Sequence, residues 1–165
     1  DYDIFVAYGF DLSKIIDIPT TELEKYPLGE PLDLPRGGES LYESIFEGSL
    51  IRAEGTIDIW IVKYVGNKRF KRLILSPSVF NNYGHLRWED VMDVSQSVVD
   101  AFATSELVRA VGDERVYKLY PQGDTGQKRW IKAPEVFERN GWDTDAIYEI
   151  NAFDRDSYVT GSLLE

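Results

Sequence analysis

The pair Lys71-Arg72 returns as Lys128-Arg129 in a chain whose 18 Lys+Arg stand against 29 Asp+Glu, a formal net charge of −11. Neither turn nor cap chemistry demands cations at these places, and the planar fork of an arginine can take a carboxylate through two hydrogen bonds. With Lys63, Lys68, Arg69 and Lys132, the pairs give two hairpins a basic character inside an acidic chain. Two readings follow: solvated charges that protect strand edges, or cations that dock an acidic surface. Aromatic side chains lie nearby. Trp60 and Tyr64 share a strand face by the period of two, as Tyr117 does with Leu119, and Trp130 lies on the adjacent strand. An aromatic row beside arginine suits stacking on a sugar or peptide; cross-strand core pairs are the alternative. Lys71, Arg72, Lys128, Arg129, Trp60, Tyr117 and Trp130 are therefore the candidate ligand-binding residues.

Other chemistry finds little support. His85 is the single histidine, so a histidine metal site or a Ser-His-Asp triad would depend entirely on it, and a loop histidine after a glycine is ordinarily solvated. Glu89, Asp90 and Asp93, or Asp143 with Asp145, could offer oxygen ligands to calcium, yet no Asp-x-Asp-x-Asp-Gly loop with its distal Glu occurs. Caps and first-turn acids account for most of these carboxylates, while Asp154 and Asp156, on a helix, read as a solvated face. The chain has no cysteine, no glycine-rich phosphate loop and no nucleophile elbow, which excludes thiol catalysis, disulfides and Cys-based zinc. The expectation is a non-enzymatic chain: no catalytic residue, no metal, no cofactor.

What must position the candidate residues is a repeat. Lys71 to Gly84 reads Lys-Arg-Leu-Ile-Leu-Ser-Pro-Ser-Val-Phe-Asn-Asn-Tyr-Gly, and 57 positions later Lys128 to Gly141 reads Lys-Arg-Trp-Ile-Lys-Ala-Pro-Glu-Val-Phe-Glu-Arg-Asn-Gly. Arg109, Ala110 and Gly112 match Arg52, Ala53 and Gly55 at the same spacing, and Tyr117 takes the place of Trp60. After Gly141 the spacing falls to 56, so that Ile150, Asp156, Tyr158 and Thr160 answer Val94, Asp100, Phe102 and Thr104. The spacing predicts an α+β fold of tandem small repeats, each a β-strand, a β-hairpin, a short helix, a short strand and a short helix. Ser76 and Pro77 suit a helix start, Gly84 its stop, and Phe80 and Phe137 equivalent buried anchors.

The expected organisation is 1–32, the C-terminal half of a repeat; 33–49, a linker with a short amphipathic helix opened by a Ser40–Glu43 capping box; 50–107 and 108–161, complete repeats; and 162–165, a tail or cloning scar. Within the half repeat, a helix to Tyr8 stopped by Gly9, a strand Ile15–Ile18 and a helix opened by Thr20 or a Thr21–Glu24 capping box are expected. Gly66-Asn67 suits a tight hairpin turn, whereas Gln122–Gly126 reads as a looser one. Asn151 can cap the last helix. Units of this size bury too little surface alone and should share a core with a neighbour. The chain begins in mid-repeat, as if cut from something longer.

The Lys-Arg-aromatic-Ile strand, Pro-x-Val-Phe, an aromatic-Gly stop and a closing Tyr-Pro-x-Gly (Tyr26 to Gly29) together resemble tandem repeats of bacterial exported and cell-surface proteins. The likeness covers nearly the whole chain, with two departures: the insertion from Leu32 to Ser49, and Leu73 where the other copy has Trp130. It implies an extracellular or cell-surface place and a binding or scaffolding role, or an accessory, substrate- or wall-targeting domain of a surface hydrolase. Partners would be a protein or a cell-wall polymer, with self-association between repeats. The net charge disfavours nucleic acid and anionic lipid, and no apolar run reaches the roughly 18 residues that a membrane-spanning helix needs.

Overall fold

The computed structural model of the protein describes residues 15–27, 29 and 44–165. The chain divides into two compact units, residues 1–45 and residues 46–165. In the first, the described residues contain one helical turn, α1 (Thr20–Leu23). Its N-cap is Pro19, which has no side-chain hydrogen bond to give, and Glu24 ends the turn as its C-cap, so the Thr21–Glu24 capping box is not made. Nor do Ile15–Ile18 form a strand: all four are exposed and pair with nothing among the described residues. A run of isoleucines has strand propensity but acquires strand structure only where a partner edge meets it. The expected helix to Tyr8 and residues 33–43 of the expected linker, with the Ser40–Glu43 capping box, lie outside the described residues. Phe46 to Ser49 is a turn, closed by the Phe46 N–H on the Ser49 hydroxyl (3.0 Å), rather than the end of a helix.

The second unit is α+β, built from two five-stranded mixed sheets. A first segment runs β1 (Leu50–Ala53), β2 (Ile59–Val65), β3 (Lys68–Leu73), α2 (Pro77–Asn82), a 3-10 turn (Trp88–Asp90), β4 (Val91–Val94), α3 (Gln96–Asp100) and β5 (Ala103–Thr104). A second runs β6 (Leu107–Ala110), β7 (Val116–Gln122), β8 (Thr125–Ile131), α4 (Pro134–Asn140), a 3-10 turn (Thr144–Ala146), β9 (Tyr148–Ile150), α5 (Ala152–Asp156) and β10 (Val159–Thr160). The first sheet is ordered β4-β1-β2-β3-β5 and the second β10-β8-β7-β6-β9, the same succession read from its other end. In each, an antiparallel three-strand centre is flanked by parallel strands. The closing strands β5 and β10 have only two residues, too few for a hydrophobic period to announce them.

Local chemistry explains the element ends. The Ser76 hydroxyl accepts from the Val79 N–H at 3.4 Å and Pro77 fills the first turn of α2, where no amide is required. Ala133 stands at the same place before α4 and offers no cap, a difference of about 1 kcal/mol in helix stability. Asn151 caps α5 through the Asp154 N–H at 2.8 Å, as expected. Both hairpins turn in two residues, since Val65 pairs with Lys68 and Gln122 with Thr125; the second is as tight as the first, because Gly123 supplies the left-handed φ of 57°. Gly126 then serves another need. A Cβ there would lie 2.6 Å from the Tyr120 carbonyl oxygen and 3.0 Å from the Tyr158 ring, so only glycine lets that ring pack across β8.

One apolar core runs through both sheets, with Ile59, Ile74, Val79 and Phe80 from the first segment and Val108, Leu119, Ile131 and Ile150 from the second. The two segments thus share this cluster, while Ile51, Val62, Val94, Val98, Val99 and Phe102 of the first are buried outside it. Phe80 is buried and stacks on Trp88 with ring centroids 4.1 Å apart. Phe137 is only half-buried, edge-on to Trp142 at 5.9 Å, so the two phenylalanines are not equally deep anchors. No helix among the described residues is long and apolar enough to cross a membrane.

Candidate functional site

Alternation along β3 sends Lys71 and Arg72 to opposite faces of the first sheet. Lys71 turns toward the end of α3, where its Nζ donates to the Val99 carbonyl at 2.6 Å, lies 5.2 Å from the centre of the Trp60 ring and comes within 3.8 Å of Asp100. Burial lowers its pKa, and Asp100 counters the shift. Lys128 repeats the arrangement on β8: its Nζ donates to the carbonyls of Arg155 (2.9 Å) and Tyr158 (2.7 Å) and reaches Asp156 at 3.2 Å. Both lysines donate to carbonyls at the end of a short helix, of which Val99 and Arg155 also accept a backbone N–H from Phe102 and Tyr158, and there a cation meets the negative end of the peptide dipoles. A backbone reason for the repeated lysine therefore exists, and it acts across a distance of 28 or 27 residues.

Arg72, on the other face, joins the two segments. Its guanidinium reaches Asp154 of α5 at 3.0 Å, with the two side chains 3% and 0% exposed. The Tyr83 hydroxyl, at the end of α2, donates to the same Asp154 oxygen at 2.6 Å. Burial pushes that hydroxyl far above its usual pKa, Arg72 opposes the shift and Asp154 adds to it, so Tyr83 keeps its proton and remains a donor. The Tyr148 ring of β9 lies beneath the guanidinium at 5.7 Å, and its hydroxyl, which burial likewise keeps protonated, donates to the Ile61 carbonyl at 3.0 Å. Further along the hairpin, Lys63 donates to the carbonyls of Asp145 (2.8 Å) and Ile147 (2.6 Å), and Lys68 pairs with Asp143 and Asp145, each at 2.7 Å. Ser105 closes the seam by donating to the Ala146 carbonyl at 2.5 Å. The basic face of one hairpin thus lies on the acidic edge of the other segment.

Of the seven candidate residues, Lys71, Arg72, Lys128 and Tyr117 are buried, Trp60 and Arg129 are half-buried, and Trp130 is 36% exposed. The expectation of a surface pair is corrected for Lys71, Arg72 and Lys128: helix carbonyls and Asp154 hold them inside. Lys71 meets Trp60, and Tyr117 sits opposite Trp130 across the β7–β8 pairing; the seven do not make one exposed patch. Of the four basic residues, Arg129 is the one that is not buried. Its guanidinium lies 4.9 Å from the Tyr120 ring, and its Nε has no hydrogen-bond partner among the described residues.

Asp154 also departs from its expected place, since it is fully buried rather than on a solvated face. A signal was present: Asp154 stands where the first segment has Val98, itself buried, so a carboxylate occupies an apolar position of the period. Asp143 and Asp145 have structural employment, the first capping the 3-10 turn through the Asp145 N–H at 3.0 Å and both receiving Lys68. His85 is exposed and contacts the Tyr83 carbonyl through Nδ1 at 3.0 Å.

Clefts open both apart from these groups and beside Arg72. One, of about 380 Å³, has Trp88, Phe80 and Ile57 along its wall with Arg52, Asp58 and Asp124 at its rim. A smaller one of about 190 Å³ is lined by Trp60, Arg72, Ser105, Glu106 and Tyr158. Arg72 Nε and the Tyr158 hydroxyl, both buried, have no partner among the described residues. Comparison of the chain with protein-family models, with curated proteins and with solved structures gives no match.

Proposed function

We propose that this chain is a non-catalytic binding and scaffolding module of a bacterial exported or cell-surface protein, in which repeated segments stack into one body and present their outer faces to a partner. The observation that carries the reading is the seam: Lys63, Lys68 and Arg72 of one hairpin all engage the neighbouring segment. These cations position no reacting atom. They fix the orientation of one segment on another, as charged groups with complementary placement do. The likeness of the repeated motif to cell-surface repeats supports the localisation.

With most of the basic pairs turned inward and a net charge of −11, a protein partner is favoured over an anionic wall polymer, which the chain would repel at long range. A wall-targeting role within a larger hydrolase is the second reading, and the cleft beside Trp88 favours it. The Trp88 ring stacks on Phe80 yet is 48% exposed, the kind of platform on which a sugar ring lies. Cosedimentation with purified peptidoglycan and with purified anionic wall polymer, across a salt series, separates these readings. Salt-independent binding to peptidoglycan that Trp88→Ala abolishes supports wall targeting. Salt-sensitive binding to the anionic polymer contradicts the preference for a protein partner, and hydrolysis of either polymer by the chain itself contradicts the non-catalytic reading.

A further inference from the structure

The face that β2 and β3 present to the second segment has a counterpart on β7 and β8. By the 57-residue spacing, Arg129 stands for Arg72, Tyr120 for Lys63, Thr125 for Lys68 and Gln127 for Phe70. On the first hairpin this face is covered by Asp145, Ile147, Tyr148 and Asp154. On the second, Tyr120, Thr125 and Gln127 are exposed, and among the described residues Gly161 lies beside Gln127 and Arg129. Tyr120 is 39% exposed and lies between two cations, the Lys118 Nζ at 5.3 Å and the Arg129 guanidinium at 4.9 Å from its ring centre. Lys118 is already paired with Glu106, whereas the Arg129 Nε is desolvated and has no partner among the described residues.

We infer that the β7–β8 face is a docking surface for a further segment of this same build, which sets the carboxylate equivalent to Asp154 against Arg129 and an aromatic equivalent to Tyr148 beside Tyr120. The inference rests on the scaffolding reading and names its partner. Continuity with the existing seam identifies the occupant: the same strands, in the same sheet order, already receive such a segment one position earlier. Charge complementarity agrees, because a buried, unpaired guanidinium edge is stabilised by a carboxylate far more than by water it cannot reach. The contact is less ionic than the first. Thr125 cannot replace the Lys68 pairs, and Gly161, beside Gln127 and Arg129, lacks the hydroxyl that Ser105 gives to Ala146. One carboxylate and one aromatic, rather than three acids, are what this face recognises.

The test lengthens the chain by placing a second copy of residues 105–165 after Thr160, so that the added segment carries its own Asp154 and Tyr148. The added segment should fold, tumble with the rest in ¹⁵N relaxation and protect the Arg129 side chain from solvent. Arg129→Gln should then lower the melting temperature of the lengthened chain by about 6 °C or more, the size expected on breaking a buried pair, while changing the natural chain by no more than about 2 °C, as for a surface site. Replacing Asp154 of the added copy by Asn should reproduce the loss, and combining it with Arg129→Gln should add little. An added segment that stays unfolded, tumbles separately, or leaves Arg129→Gln equal in the two chains overturns the assignment. Failure to bind any wall component would count against the proposed wall partners and leave this docking result standing.

Discussion

Asp154→Asn isolates the charge at the seam with little change of shape. The carboxylate is fully buried, accepts from Tyr83 at 2.6 Å and pairs with Arg72 at 3.0 Å. An asparagine oxygen can still accept from Tyr83, but the guanidinium, 3% exposed, loses its counter-charge and cannot turn to water. Breaking a buried pair from one side costs about 3–5 kcal/mol, and the retained Tyr83 bond places this variant near the lower end. For a body of this size that is a fall of roughly 10 °C in melting temperature, measurable by calorimetry and by urea denaturation followed at Trp88 and Trp142. Removing both charges should behave differently. Arg72→Leu with Asp154→Val is made in a Tyr83→Phe background, so that no hydroxyl is left unpaired. It puts an apolar group where the first segment has the buried Val98, and replacing a buried pair by packed apolar groups ranges from neutral to stabilising by about 1–4 kcal/mol. The double variant should therefore be more stable than Asp154→Asn by at least about 2 kcal/mol. If Asp154→Asn lies within about 0.5 kcal/mol of the parent, or the double variant is no better than the single, the seam does not hold the segments as argued.

Lys128→Met should destabilise by about 1–3 kcal/mol, because the carbonyls of Arg155 and Tyr158 lose a shared donor; urea midpoints measure it, with Lys132→Met as the exposed control. Gly126→Ala should cost about 1–3 kcal/mol and shift the Tyr158 ring resonances, since the added carbon meets the Tyr120 backbone at 2.6 Å. Phe80→Ala should cost about 3–5 kcal/mol and Phe137→Ala clearly less, because only the first is buried. Acid should weaken the fold. Hydrogen bonds from Arg115 and Arg155 hold Asp113 and Asp156 down to about 2, below the unfolded value of about 3.9. A carboxylate depressed in the folded state adds stability that is complete above the unfolded pKa and is lost as pH falls through the folded one. Urea midpoints should therefore decline between about pH 5 and pH 2, and Asp156→Asn should flatten part of that decline; a level profile would contradict the assignment.

The segment structure was legible because its signals are local. The two-residue turn at Gly66-Asn67, Ser76-Pro77 at a helix start and Asn151 before α5 all act within a few residues. What was not legible acts across the chain. The lysine of each pair is defined by helix carbonyls 28 or 27 residues away, and Arg72 by Asp154, a residue of the other segment. A repeated cation with no local reason pointed to a partner, but nothing in its spacing says whether that partner is a helix end, a neighbouring segment or another molecule. The strand expected at Ile15–Ile18 failed for the same reason: propensity is local, whereas a strand needs an edge to pair with.

The central claim, that the two sheets are one body locked by the seam, is tested most directly by native-state hydrogen exchange. Val62 and Ile51 of the first sheet and Leu119 and Val108 of the second are buried strand residues. Their amides should exchange only through a shared global opening, with equal free energies that Asp154→Asn lowers by the same amount in both sheets. Two distinct opening free energies, or a variant that lowers only the second, would show that the sheets unfold separately.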